Sequence, residues 1–222
     1  MAPPAWLRDP RTWIALVIVV TALTLVSPIY PRDQLLQQVG TTAGLAFLVL
    51  AWRRWRITGA AFVAFALFLV LHVVGARWVY SYVPYDEWLD ALCGFRPGET
   101  WHWRRNHYDR FVHAAYGVLA TPIFTTAAER ALALNRRAAL FVAVLAISAT
   151  SAFYELGEWA VAFVAAPERA QTYLGQQGDP WDAQADMAFA IAGACATAAV
   201  LAICARSGTG PYSRPASRHA QR

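Results

Sequence analysis

The apolar residues of this chain fall in long blocks, separated by short charged breaks, and rarely alternate singly with polar ones. Six blocks stand out, at about 13–30, 35–52, 57–80, 109–128, 138–166 and 186–205. At a rise of about 1.5 Å per residue, each is long enough to cross a hydrocarbon core about 30 Å thick. The pattern predicts an all-α polytopic membrane helix bundle of about six transmembrane helices. Residues 1–206 read as one domain, and 207–222 as a disordered basic tail without apolar periodicity. The first block follows Arg8 and Arg11 and ends in Ser27-Pro28-Ile29-Tyr30-Pro31. That exit lacks a small-x-small cleavage pattern, which predicts an uncleaved helix and not a signal peptide. The chain has no internal repeat, so an inverted-repeat transporter is not supported.

Composition agrees with the pattern. Of 222 residues, 58% are hydrophobic and 15% charged, where a soluble domain carries about a quarter charged residues. The net charge is +5, and all 19 basic residues are Arg. They are spread over the breaks between blocks and are not gathered into one stripe, which excludes a nucleic-acid binder. All-Arg usage with abundant Ala has the bias of a GC-rich bacterial genome. With the N-terminus in the cytoplasm, the cytoplasmic segments hold Arg8, Arg11, Arg53, Arg54, Arg56, Arg130, Arg136, Arg137 and four Arg from position 206 onward. Only Asp9 and Glu129 oppose them. The positive-inside rule therefore predicts both termini in the cytoplasm and the chain in a bacterial inner membrane.

Cys93, Cys195 and Cys204 are odd in number and lack CxxC spacing, which speaks against a disulfide framework or a cysteine zinc site. Cys195 and Cys204, inside an apolar run, read as small buried hydrophobes. His219 lies in the tail and takes no role.

The informative residues are polar ones in places that lipid should exclude. His72 interrupts the third block. The fourth opens with Arg105-Asn106-His107-Tyr108-Asp109-Arg110 and continues to His113. The fifth contains Tyr154-Glu155-Leu156-Gly157-Glu158, and the sixth is preceded by Asp179, Asp182, Gln184 and Asp186. Helix rise puts Glu155 about 25 Å along its helix, in the outer third, with the others at a similar depth. Asp109 and His113 share a helix face, as do Glu155 and Glu158, and Asp182 and Asp186 if the last helix starts early. A carboxylate at mid-membrane costs about 2.5–3.5 kcal/mol. Something cationic must therefore sit against these: Arg, protonated His, a metal ion, or protons on the carboxyls. A structural knot would clamp Glu155, Glu158 and Asp186 with Arg77, Arg105 and Arg110. Trp78, Tyr80, Tyr82, Trp88, Trp101, Trp103 and Trp181 read as an interfacial aromatic belt, and Arg104 as an anchor beside them.

The segments LHVVGARWVYSYVPYDEWL, RNHYDRFVH, YELGEW and LGQQGDPWDAQADM resemble the YjdF-like family of bacterial inner-membrane proteins, over roughly residues 57–205. The resemblance implies a membrane protein and leaves its activity open. The Asp-x3-His start and the later Asp-opened helix are more loosely similar to VanZ-like membrane proteins. Those place Glu-x2-Gln and an Arg before the Asp, whereas this chain has Glu155-x2-Glu158 and Gly178-Asp179.

Three functions follow. The first is an enzyme acting hydrolytically on a lipid-linked or amphipathic substrate. His113, Asp109, Glu155 and Glu158 are its catalytic candidates. A divalent metal, Zn, Mn or Mg, would be held by a subset of His72, His107, Asp109, His113, Glu155, Asp182 and Asp186. Arg105, Asn106, Arg110, Asp179 and Gln184 would complete the polar site. The second is a proton- or ion-coupled transporter. The third is a structural or accessory membrane protein whose charged residues form an interhelical network.

Overall fold

The computed structural model describes residues 9–164 and 176–206, which form eight helices and no strand. Helix α1 spans Pro10–Thr24; the Asp9 carboxylate caps it by accepting the Arg11 N–H at 2.9 Å, and Pro10 occupies its first turn. The Leu25 N–H closes the last turn, and Ser27 then takes a left-handed φ of 48° ahead of Pro28. The first block therefore stops being helical well before residue 30. Its 15 residues cover about 22 Å.

Helix α2, Pro31–Trp55, starts on a proline and ends where Arg56 turns left-handed. Helix α3 is Ala60–Arg77. The polar stretch before the next block folds into two short helices, α4 (Tyr85–Cys93) and α5 (Pro97–Thr100). Then come α6 (Tyr108–Ala131), α7 (Arg136–Val164) and α8 (Asp182–Arg206). Helix α8 begins four residues before its apolar block, so Asp182 and Asp186 lie one turn apart on it. The last two positions of the fifth block, residues 1–8 and the 207–222 tail with His219 lie outside the described residues.

Helices α2, α3, α6, α7 and α8 are each long and apolar enough to cross a membrane, and α1 is a shorter apolar helix. The fold is an all-α membrane bundle. Helix α6 is its centre, packing on α3, α7 and α8, while α1 and α2 pack on α3. The α6–α8 contact is the tightest. A Cβ added at Gly117 would run into the Ala190 backbone, and one at Gly193 into the backbone of Ala114 and Val118. Two glycines thus let the helix backbones meet, the small-residue packing that holds helices together where lipid removes the hydrophobic drive. Val17, Leu48, Phe62, Leu69, Ile123 and Ile147 fill the interior. Large apolar side chains such as Val39, Phe141, Phe153 and Phe163 face outward, as they do when the surrounding solvent is hydrocarbon. Cys195 is also on that outward surface and Cys204 is half-buried, so neither is the interior hydrophobe that its sequence context suggests.

Candidate functional site

At the end where α2, α6 and α8 begin and α3 and α7 finish, buried charged side chains gather between the helices. Two groups of charge occupy it. The first is a knot between the segments leading into α6 and α8. Arg105 Nη1 donates to Asp182 Oδ1 at 2.5 Å and lies 3.6 Å from Asp179. Arg110 pairs with Asp179 and lies 3.6 Å from Asp182. Asn106 and Gln177 add reciprocal bonds: the Asn106 N–H donates to Gln177 Oε1 at 2.8 Å, and Gln177 Nε2 donates to Asn106 O at 3.1 Å. The Trp181 N–H also donates to Asp179. That bond, followed by the Arg110 guanidinium, holds the Asp179 carboxyl below its ordinary range.

The second group lies one turn deeper. Asp109, His113 and Asp186 each offer a ligand atom, all within 4.8 Å of one another. His113 Nε2 is 3.6 Å from Asp109 Oδ1 and 3.4 Å from Glu155 Oε1. The i, i+4 spacing on α6 sets the first pair, and the Gly117–Gly193 crossing brings Asp186 to it. All four are buried, Asp186 to 2% exposure. Asp186 Oδ1 and Glu155 Oε1 accept no hydrogen bond from any described residue. The arginines of the knot are turned to Asp179 and Asp182.

The remaining candidates are dispersed. His72 has both ring nitrogens engaged. Gln37 O at 3.3 Å can only accept, so Nε2 donates to it. Nδ1 then accepts from the Tyr80 hydroxyl at 2.5 Å. His107 packs edge-on to Trp103, and its backbone N–H donates to Tyr85 Oη. Burial, then Arg110 and Arg105, push its imidazole below the usual range. Glu158 bonds Tyr154 and Gln37 and lies within electrostatic reach of Asp109 and Glu155. Asn106 ties the loop by donating to Val83 O and accepting the Tyr108 N–H. Gln184 is exposed.

Two sequence expectations are corrected here. Arg77 does not clamp a carboxylate; it donates to Thr24 O at the end of α1, which also accepts from Gln34 Nε2, and to Val26 O just beyond the helix. Tyr80 is not in the interfacial belt. Left-handed φ values of 49° at Val79 and 55° at Tyr80 fold the chain back after α3, burying the ring and bringing its hydroxyl to His72. Burial, with Asp109 nearby, pushes that hydroxyl well above the usual tyrosine range, so it stays a donor.

Beside the polar end, a cavity of about 380 Å³ opens between α2, α3, α6 and α7. Phe47, Phe65, Phe68 and Phe124 give it apolar walls, while His72, Tyr80, His113 and Tyr154 line its polar end.

The sequence family DUF2238, described as a predicted membrane protein, matches residues 10–207. The chain belongs to that family. The chain is also similar to the inner membrane protein YjdF of Escherichia coli (strain K12). The two are 31% identical over 201 residues, or 86% of this chain and 92% of that protein. No solved structure matches the chain. The membrane class is thus reached twice, from the helices and from the family.

Proposed function

We propose that Asp109, His113 and Asp186 hold a divalent cation, and that the chain acts hydrolytically on an amphipathic or lipid-linked substrate in a bacterial inner membrane. The inner-membrane location follows the name of the E. coli relative and the distribution of arginine. In this reading both termini are cytoplasmic, α1 completes a sixth crossing, and the polar end faces the periplasm. A reporter active only in the cytoplasm, fused at Arg222, tests it together with external labelling of Gly98→Cys. A silent reporter or a protected position 98 overturns that topology.

The observation that carries the proposal is the buried, unpartnered Asp186 oxygen facing a second carboxylate and an imidazole. Buried carboxylates side by side need a cation or protons between them. The donors are imidazole and carboxylate without thiolate, the set that suits Zn or Mn and admits Mg. An ion held there would supply a Lewis acid for activating water. Glu155, placed 3.4 Å from His113 Nε2, is the carboxylate left to accept the proton. His72 and Tyr80 stand behind His113 along the cavity wall and shape its polar end.

Elemental analysis and zinc or manganese titration of the protein in mild detergent test the ion. The expected result is about one ion per chain, lost in Asp186→Asn and His113→Gln while both variants still accumulate in the membrane. Equal binding by these variants, or none by the parent, overturns the proposal.

A second reading has the knot for support: a structural or accessory protein whose charges only lock helices together. It requires Glu155→Gln and His113→Gln to be degraded or to unfold at much lower temperature. A well-folded variant that has lost both ion and function rules it out.

A further inference from the structure

The cavity has features that the charged cluster alone does not require. It is elongated along the helices: its lining runs from Gly40 to Phe47 on α2 and from Val112 to Phe124 on α6, a length of roughly 10–18 Å. It is also two-ended. The deep end is closed by Phe47, Phe65 and Phe124, whose rings contact one another. The other end meets His113, which belongs to the Asp109–Asp186 group. The side between α2 and α7 is thinly closed. Both helices lean on other neighbours more than on each other, and small residues, Ala43 on α2 and Thr150 on α7, stand exposed along the gap.

We infer that this cavity takes one hydrocarbon chain of an amphipathic lipid, entering sideways from the membrane between α2 and α7, with its polar head at Asp109, His113, Glu155 and Asp186. The inference builds on the proposed hydrolytic role and names its substrate as a membrane lipid. The occupant follows from position. The cavity lies within helices long enough to span a bilayer, where the surrounding medium is acyl chains and the gap opens toward them. An aromatic-walled channel with polar groups converging at one end is the usual form of a pocket for such a ligand, and its volume falls within the usual range of about 300–1,000 Å³. Water is a poor occupant of the deep end, which offers it three phenyl rings in place of hydrogen-bond partners.

The test uses the full chain in nanodiscs of phosphatidylethanolamine and phosphatidylglycerol. A small fraction of the phospholipid carries a diazirine at the end of one acyl chain. After illumination and digestion, label should concentrate on Phe47, Phe65 and Phe124, several-fold over the outward-facing Phe141 and Phe153. Ala43→Phe and Thr150→Phe, tested singly, should each cut cavity labelling by about tenfold, equivalent to about 1.4 kcal/mol. Zinc or manganese binding should be unchanged in both. Labelling spread evenly over the outer surface and insensitive to both variants overturns the inference, as does a protein segment crosslinked in the cavity in place of lipid. Cavity labelling in a parent protein that binds no ion leaves the lipid site standing and removes the hydrolytic role.

Discussion

Asp182 and Asp186 lie one turn apart on the same helix, yet they meet opposite surroundings. Asp182 is clamped by Arg105 at 2.5 Å, with Arg110 at 3.6 Å. In that knot two guanidinium groups answer two carboxylates. Asp186, equally buried, faces Asp109 and a single imidazole, with Glu155 against the same ring nitrogen as Asp109. There the carboxylates outnumber the cations. A balanced group in a low-dielectric setting is already finished: its charges are spent on each other, and it fixes the loops that carry it. An unbalanced one is costly until something else arrives. The difference separates a charge-balanced rim from an unbalanced group one turn below it.

Removing one partner of the knot gives the largest expected effect. Arg105→Ala leaves buried Asp182 with only the longer 3.6 Å contact to Arg110, and unfolding in mild detergent should show a loss of up to about 3–5 kcal/mol. The double variant Arg105→Ala with Asp182→Ala should lose less than the single one, because no orphan charge remains. A loss below about 1 kcal/mol for Arg105→Ala would place the knot among weak surface pairs and erase the contrast.

Next in size is the response to ion. With zinc or manganese at about 100 times its dissociation constant, the parent protein should gain about 2.7 kcal/mol of stability. Asp186→Asn should gain nothing. Without ion, that variant should lie within about 0.5 kcal/mol of the parent, since it removes a repulsive charge and keeps the shape. If Asp186→Asn destabilises as strongly as Arg105→Ala, the two regions are one structural network.

The smallest effect is on the rim at acid pH. The carboxyl of Asp179 is held below its ordinary 3.8 by the Trp181 N–H and then by Arg110. A depressed folded-state value means that its stabilisation is complete above 3.8 and is lost as the pH falls through the lower folded value. Trp181 fluorescence should therefore stay constant from neutral pH to about 4 and change only below it. A transition well above pH 4 would contradict the pairing.

The apolar blocks made the helices legible, because a membrane span needs about 20 apolar residues and few other things do. Their ends were less so. The start of α8 at Asp182 was legible only as an alternative, because Asp182 and Asp186 look like loop to a hydropathy window. The end of α3 was hidden because nothing in Trp78-Val79-Tyr80 announces two successive left-handed residues. The Asp109-x3-His113 pair was visible, since helix spacing alone puts both on one face. The partners of the arginines were not: Arg77 reaches backbone carbonyls at and just after the end of α1, more than fifty positions earlier in the chain. The cavity left a faint signal in Gly40-x3-Gly44, which brings α2 against His72 and Leu69 of α3.

The backbone contact between Gly117 and Gly193 also has a history in time. The two glycines are separated by 76 positions, which a ribosome covers in roughly 4–15 s. For that interval Asp109 and His113 are already in the membrane, while the helix bearing Asp186 is still unmade. The newborn chain must carry Arg105 and Arg110 through a period of surveillance without Asp179 and Asp182, which arrive only with the last span and the segment before it. A stop codon placed before Asp179 therefore deletes more than a helix: it removes both carboxylates that Arg105 and Arg110 pair with in the full chain.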